Sequence, residues 1–161
     1  MNKATNLIFA KIYFQKAISD DYVDWAIDCL EDGFDSENLR MLAATEKPFY
    51  SLEVEDRFAK SLIELGWSKP SKKESLLSYA KEFAKEIVSG AISPDKGCKE
   101  IYLISLELEY PKELKDWLCL DEGHDPITME WLWNSYDYAT GDTKKWFEVI
   151  LREAKKLAET N

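Results

Sequence analysis

Residues 71–90 read SKKESLLSYAKEFAKEIVSG, and this stretch decides the fold class. Ser71 followed three residues later by Glu74 forms a capping box, in which each side chain satisfies a backbone N–H at the start of a helix. Gly90 stands at the other end, where a residue in the left-handed conformation commonly closes a helix. Apolar residues between them recur at the spacing of one helix face: Leu76, Leu77, Tyr79, Ala80, Phe83, Ala84, Ile87 and Val88. The stretch therefore predicts an amphipathic helix with both ends marked.

The same end signals divide the rest of the chain into helices. Gly33 and Gly66 each follow a periodic apolar segment, Ser36 is a good N-cap, and Pro94 suits the first position of a helix. The β-branched residues within the segment after Pro94 leave a strand as its alternative. We expect helices over about residues 5–17, 20–32, 36–43, 52–65, 71–90, 94–106, 111–120, 128–138 and 143–159.

The helix-end signals and the absence of hairpin signals predict an all-α fold. No alternating polar and apolar run is joined by an Asn-Gly or Asp-Gly turn, so a hairpin-rich sheet is not expected. The expected architecture is a single compact bundle of about seven to nine short helices, and a length of 161 residues suits one acidic helical domain over 1–161. Stacked helical hairpins are the alternative arrangement, because an aromatic–alanine pair recurs ahead of three glycines.

The composition limits the classes of partner. The hydrophobic share of 45% and the aromatic share of 13% are those of a chain that folds. A net charge of -10 disfavours nucleic acids and anionic membranes and favours a basic protein partner. Three widely spaced cysteines predict neither a disulfide framework nor a zinc site. Without an apolar segment of about 20 residues or a signal peptide, the expected compartment is the cytoplasm.

The negative charge is concentrated in two windows, of which the first spans residues 17–39 and contains no lysine or arginine. On a helix, five of its carboxylates share a stripe about 100° wide: Asp21, Asp24, Asp28, Glu31 and Asp32. The opposite face is apolar: Val23, Ala26, Ile27 and Leu30. We expect this edge, continued by Asp35, to bind a cation.

Helix stability alone does not account for these carboxylates. Like-charged neighbours three or four residues apart repel by roughly 0.2–0.5 kcal/mol each. Glu31 and Asp32 also lie at the C-terminal end of their helix, where the helix dipole disfavours an anion. The next helix begins near Asp35 and Ser36, and its positive end offsets part of that cost. The simpler interpretation is a solvated face that keeps the protein soluble.

The second window spans residues 116–143 and mixes carboxylates with aromatic rings. It contains seven carboxylates and no lysine or arginine, and His124 is the lone histidine. A ring face beside a carboxylate suits an arginine or lysine side chain, because both attract the cation. We expect Trp131 and Tyr138 to contribute to a binding surface, with a partly buried core face as the alternative.

Motifs of catalysis and cofactor binding are missing from the sequence. It contains no glycine-rich phosphate loop, and the loop 119–125 matches no zinc or calcium pattern. We therefore expect no catalytic residue, no metal site and no cofactor. The contrasting enzyme hypothesis is a magnesium-dependent nucleotide pyrophosphohydrolase, whose paired acidic spacings resemble Asp28-x-x-Glu31 and Glu53-x-x-Asp56. A helical scaffold without catalytic activity is a further alternative.

One run of residues resembles a known pattern: Trp25-Ala26, Leu30, Gly33, Asp35-Ser36, Leu39-Arg40 and Leu42-Ala43. The resemblance covers about residues 22–44 and is to small uncharacterised bacterial α-helical proteins, some of which look like immunity proteins that accompany toxins. It implies a bacterial cytoplasmic protein that acts by binding. An acidic helix edge would suit a basic toxin, since nucleases need basic surface to hold phosphates. The expected function is thus a protein-binding module, in its specific form an immunity-type inhibitor.

Overall fold

The structure is a computed structural model that describes residues 3–121 and 143–160. Within these ranges the chain forms eight helices and no strand: α1 Lys3–Tyr13, α2 Ser19–Glu31, α3 Glu37–Ala43, α4 Ser51–Glu64, α5 Lys72–Ser89, α6 Pro94–Glu107, α7 Asp116–Asp121 and α8 Thr143–Glu159. The all-α prediction is confirmed, and the segment after Pro94 is a helix. The helix predicted over 128–138 lies outside the described residues. In the described part of the chain, no helix is both long and apolar enough to cross a membrane.

Side-chain caps and proline start the helices where the sequence predicts. The hydroxyl of Ser36 accepts a hydrogen bond from the Leu39 N–H at 3.3 Å. The hydroxyl of Ser71 accepts one from the Glu74 N–H at 3.2 Å. Pro94 occupies the first position of α6, where no N–H is needed. These local signals therefore fix the starts of α3, α5 and α6.

Glycines in the left-handed conformation end α2 and α4. Gly33 has φ +86° and Gly66 has φ +65°. After each glycine, an aromatic residue donates its N–H back into the last turn, as Phe34 does to the Cys29 carbonyl at 3.0 Å. The two aromatic residues, Phe34 and Trp67, then meet edge to face with ring centroids 4.7 Å apart. The ends of α2 and α4 are thereby packed against each other.

Two helices are shorter than the sequence predicts. The first was expected to reach Ala17 but ends at Tyr13, because Gln15 adopts φ +55° and the Lys16 N–H bonds back to the Lys11 carbonyl at 2.9 Å. The segment expected to start at Pro111 first forms a turn, and α7 begins only at Asp116. The first difference arises from the backbone conformation at Gln15.

The chain divides into two compact units, Met1–Ser78 and Tyr79–Asn161, with the boundary inside α5. In the first unit, α2 packs against α1, α3 and α4, and α3 packs against α4. Trp25 lies in this core with its ring edge-to-face against Phe58, at 4.6 Å between centroids. The single domain over 1–161 stays a prediction.

In the second unit, α6 packs against α7 and α8. The Trp146 indole on α8 is buried and donates to the Leu120 carbonyl on α7 at 2.8 Å. The largest buried aliphatic side chains of this unit are Ile101, Ile104, Leu114, Leu120 and Ile150. The second unit thus has an apolar core of its own.

Candidate functional site

Helix α2 separates a buried face from a carboxylate edge, as the sequence predicts. Its buried side chains belong to Tyr22, Val23, Trp25, Ala26 and Cys29. Asp24, Asp28, Glu31 and Asp32 are exposed. We call these four residues the acidic edge. One assignment to the apolar face was wrong: Ile27 is 40% exposed, because the face that meets the core is centred on Ala26 and Cys29.

Asp21 has the spacing of the acidic edge but serves a structural role. Its Oδ1 lies 2.5 Å from the ammonium of Lys11 on α1, and its Oδ2 accepts the Ile18 N–H at 2.8 Å. Its side chain is only 14% exposed. Asp21 therefore joins α1 to α2 and closes the N-terminal end of α2.

Three members of the acidic edge have no ion-pair partner in the described part of the chain. Among the described residues, no cation bonds to the carboxylates of Asp24, Asp28 or Glu31. Desolvation raises the pKa of Asp28 above its ordinary value. The neighbouring carboxylates of Glu31, Asp24 and Asp32 raise that pKa further, in this order. The edge thus holds negative charge against both partial burial and mutual repulsion.

A shallow groove between α1 and α2 runs beside the acidic edge. One part has a volume of about 140 Å³ and is lined by Asp24, Asp28, Ala4 and Leu7, among others. A neighbouring part of about 320 Å³ is also lined by Asp28, Ala4 and Leu7, and it extends to Glu31. Lys11, which is paired with Asp21, lines the first part, and Lys3 lines the second. The apolar residues and the carboxylates of the groove match a lysine or arginine side chain, whose stem is apolar and whose head is cationic. The arrangement is therefore suited to holding a basic side chain.

Asp35 does not extend the acidic edge. Its Oδ1 lies 2.5 Å from the guanidinium Nη1 of Arg40 on α3. The pair is exposed on both sides, so it contributes little to stability. Asp35 is therefore ion-paired to α3. Its predicted role in binding would require the ion pair with Arg40 to break.

Most of the second acidic window, with both Trp131 and Tyr138, lies outside the described residues. At its described start, Trp117 is buried in the second unit. Asp121 accepts a hydrogen bond from the Lys99 ammonium at 3.0 Å. The start of this window thus takes part in the core and in an internal ion pair.

Two of the four carboxylates of the magnesium-enzyme hypothesis, Glu53 and Asp56, already have partners within α4. Glu53 accepts from the Arg57 guanidinium at 2.8 Å, and Asp56 accepts from the Lys60 ammonium at 2.6 Å. Over residues 3–121 and 143–160, no three His, Cys, Asp or Glu side chains form a group that could hold a metal ion. Burial raises the pKa of the Cys98 thiol, which keeps it protonated.

Replacing Asp28 by asparagine is expected to stabilise the protein by about 0.5–1 kcal/mol at pH 7, because it removes the desolvation of a charged group and the like-charge repulsion within α2. Aspartate and asparagine have similar helix propensities, so the charge is the main change. A raised pKa in the folded state means that the ionised carboxyl destabilises the fold. The gain should therefore be full at neutral pH and disappear below about pH 3.5.

Urea denaturation of the Asp28→Asn variant at pH 7 and pH 3 measures both values. Glu148→Gln is the matched control, since Glu148 on α8 has Lys144, Lys145 and Arg152 as its helical neighbours and its removal should bring no gain. Equal gains at the two pH values would show that the charge of Asp28 is not the cause.

The residues of α1 that complete the groove were missed from sequence. Ala4, Leu7 and Lys11 recur at helical spacing, which was the available signal, but the same spacing is expected of any core-facing residues. Only the packing of α1 on α2 brings them beside the carboxylates.

No known protein family matches the chain, and no curated protein or solved structure shows significant similarity to it.

Proposed function

We propose that the chain is a cytoplasmic protein-binding module that holds a basic partner on the acidic edge of α2. In the specific form that the sequence resemblance implies, it is an immunity-type inhibitor of a basic bacterial toxin. The observation that carries the proposal is that Asp24, Asp28 and Glu31 are exposed and form no ion pair within the described part of the chain, although Lys11 and Lys3 line the same groove. A bound cation would remove repulsion that folding leaves in place.

The groove beside the acidic edge supplies the second element of recognition. A lysine or arginine of the partner would lay its stem on Ala4 and Leu7 and place its head between Asp24 and Asp28. Arginine would bond such a carboxylate through two parallel N–H groups. Inhibition of a nuclease would then need only that its phosphate-binding surface be covered.

The whole-molecule charge supports the same partner chemistry. A net charge of -10 attracts a basic protein over a distance of about one Debye length and speeds its association. Binding by this route weakens as salt is added, because both the attraction and the edge contacts are screened.

Reversing the acidic edge is expected to abolish capture of the basic partner. The tagged Asp24→Lys/Asp28→Lys variant is compared with the wild-type protein and with Glu86→Lys/Glu159→Lys, which carries the same change in net charge on exposed positions of α5 and α8. From a lysate of the source organism at 50 mM salt, a basic protein should be retained by the wild type and the control and reduced at least tenfold on the edge variant. Circular dichroism checks that all three are folded.

Equal capture by all three proteins would show that the acidic edge is only a solubilising face. The inhibitor form of the proposal is tested by co-expression with the product of the reading frame beside its gene. If that product stops bacterial growth, the wild type and the control should restore growth and the edge variant should not. A harmless neighbour would contradict the immunity role and leave the binding proposal to the capture experiment.

A further inference from the structure

Helix α4 exposes two large aliphatic side chains on one line. Leu52 is 85% exposed and Ile63 is 78% exposed. They are eleven positions apart, and Asp56 and Ala59 lie between them on the same side, also exposed. The steps of four, three and four residues are those of a coiled-coil seam. We call Leu52, Asp56, Ala59 and Ile63 the α4 seam.

The opposite face of α4 already forms part of the core. Val54, Phe58 and Ser61 are its buried residues. The seam is therefore an additional face that the fold of the first unit does not use. A single exposed apolar side chain needs no explanation, but Leu52 and Ile63 recur on one helix face at the spacing that a coiled-coil contact uses.

We infer that the seam is covered by the same seam of a second copy of this chain, with the two α4 helices antiparallel about a two-fold axis. In this register Leu52 lies opposite the partner's Ile63, and Asp56 lies opposite the partner's Ala59. The small alanine leaves the Asp56 carboxylate room to remain bonded to Lys60 at the rim. A parallel pairing would instead place Asp56 against the partner's Asp56, which is repulsive.

The charges that flank the seam complement one another in the antiparallel register. Glu53 and Lys60 lie on the same flank of the seam, and the two-fold axis brings that flank beside the same flank of the second copy. Lys60 of one copy then comes beside the partner's Glu53, and the pair occurs twice. Both hydrogen bonds from Arg57 go to Oε1 of Glu53, so Oε2 remains for this contact.

The opposite flank adds no repulsion in this register. Glu55 on that side comes beside the partner's Leu62, so no like charges meet. A seam that matches itself in both shape and charge favours a second copy over an unrelated protein. Because one helix of 14 residues contributes the whole contact, the dimer is weak and depends on protein concentration.

The response to salt distinguishes this dimer contact from the proposed binding of a basic partner. Two chains of net charge -10 repel each other, so added salt should strengthen the dimer. The same salt should weaken the binding of a basic protein to the acidic edge. The two proposals therefore succeed or fail independently.

Sedimentation equilibrium between about 5 and 500 µM protein tests the dimer, at 50 and 300 mM NaCl. We expect the wild-type protein to change from monomer to dimer over this range, and more readily at the higher salt. Ile63→Lys should raise the dimer dissociation constant more than tenfold. Ile18→Lys, a change at an exposed apolar residue outside the seam, should leave it unaltered.

A mixing experiment tests the antiparallel register itself. Lys60→Glu alone and Glu53→Lys alone each place like charges together and should dimerise less than the wild type. Mixed in equal amounts, the two variants should form a heterodimer in which both cross-pairs again join opposite charges. A protein that stays monomeric at 500 µM, a dimer that is indifferent to Ile63→Lys, or mixed variants that associate no better than either alone would overturn the inference.

Discussion

Replacing Trp25 by alanine should lower the free energy of unfolding by about 3–5 kcal/mol. The side chain is 2% exposed, and its ring packs edge-to-face on Phe58 at 4.6 Å and on Trp67 at 6.5 Å between centroids. Its indole N–H donates to the Thr5 hydroxyl at 3.0 Å. The substitution removes a large apolar volume and leaves a buried hydroxyl without this donor. Such a loss is a large part of the stability of an ordinary domain.

Urea denaturation followed by far-ultraviolet circular dichroism measures this loss. Trp25→Phe separates its two sources, since phenylalanine keeps a ring against Phe58 but has no N–H to donate. We expect it to lose clearly less than the alanine variant. Tyr50→Ala is the surface control, because Tyr50 is an exposed aromatic residue whose removal should change stability by no more than about 0.5 kcal/mol. A loss below about 1 kcal/mol for Trp25→Ala would contradict the central position of the ring.

Helix ends were predictable from sequence because a few neighbouring residues decide them. Ser36 caps α3 with its own hydroxyl, and Gly33 ends α2 through its own positive φ. The end of α1 was not predictable in this way. Gln15 takes the left-handed conformation that is usual for glycine, and nothing in its residue type announces it. The prediction therefore extended α1 by one turn.

The acidic edge was predictable only as far as helical periodicity reaches. Spacing placed Asp24 and Asp28 on one side of α2, and the structure has them there. Spacing grouped Asp21 with them, although Lys11 on another helix neutralises it. An ion pair across two helices depends on how they pack, which the one-dimensional pattern does not contain. The same reason explains why Ile27 was assigned to the wrong face.

Gly97→Ala should destabilise the protein by about 2–3 kcal/mol. In an ordinary helix interior the change from glycine to alanine stabilises by about 1 kcal/mol, so the expected sign is reversed. Gly97 lies buried in the second turn of α6, where a Cβ atom would come under 3.0 Å from Cγ1 and Cδ1 of Ile87 and 2.8 Å from Cδ1 of Ile92. Ile87 is itself buried in α5, so it cannot rotate into solvent.

A double-mutant cycle with Ile87→Ala identifies the close approach of α5 and α6 as the cause. Ile87→Ala alone should lose about 2–5 kcal/mol, because it opens a cavity in the core. The same change removes two of the three atoms that the new Cβ of the Gly97→Ala variant would meet, and leaves Cδ1 of Ile92. The double variant should therefore lose at least about 1 kcal/mol less than the sum of the single losses, measured by urea denaturation. Strictly additive losses, or a Gly97→Ala protein more stable than the wild type, would mean that the two helices leave room for a methyl group at this position.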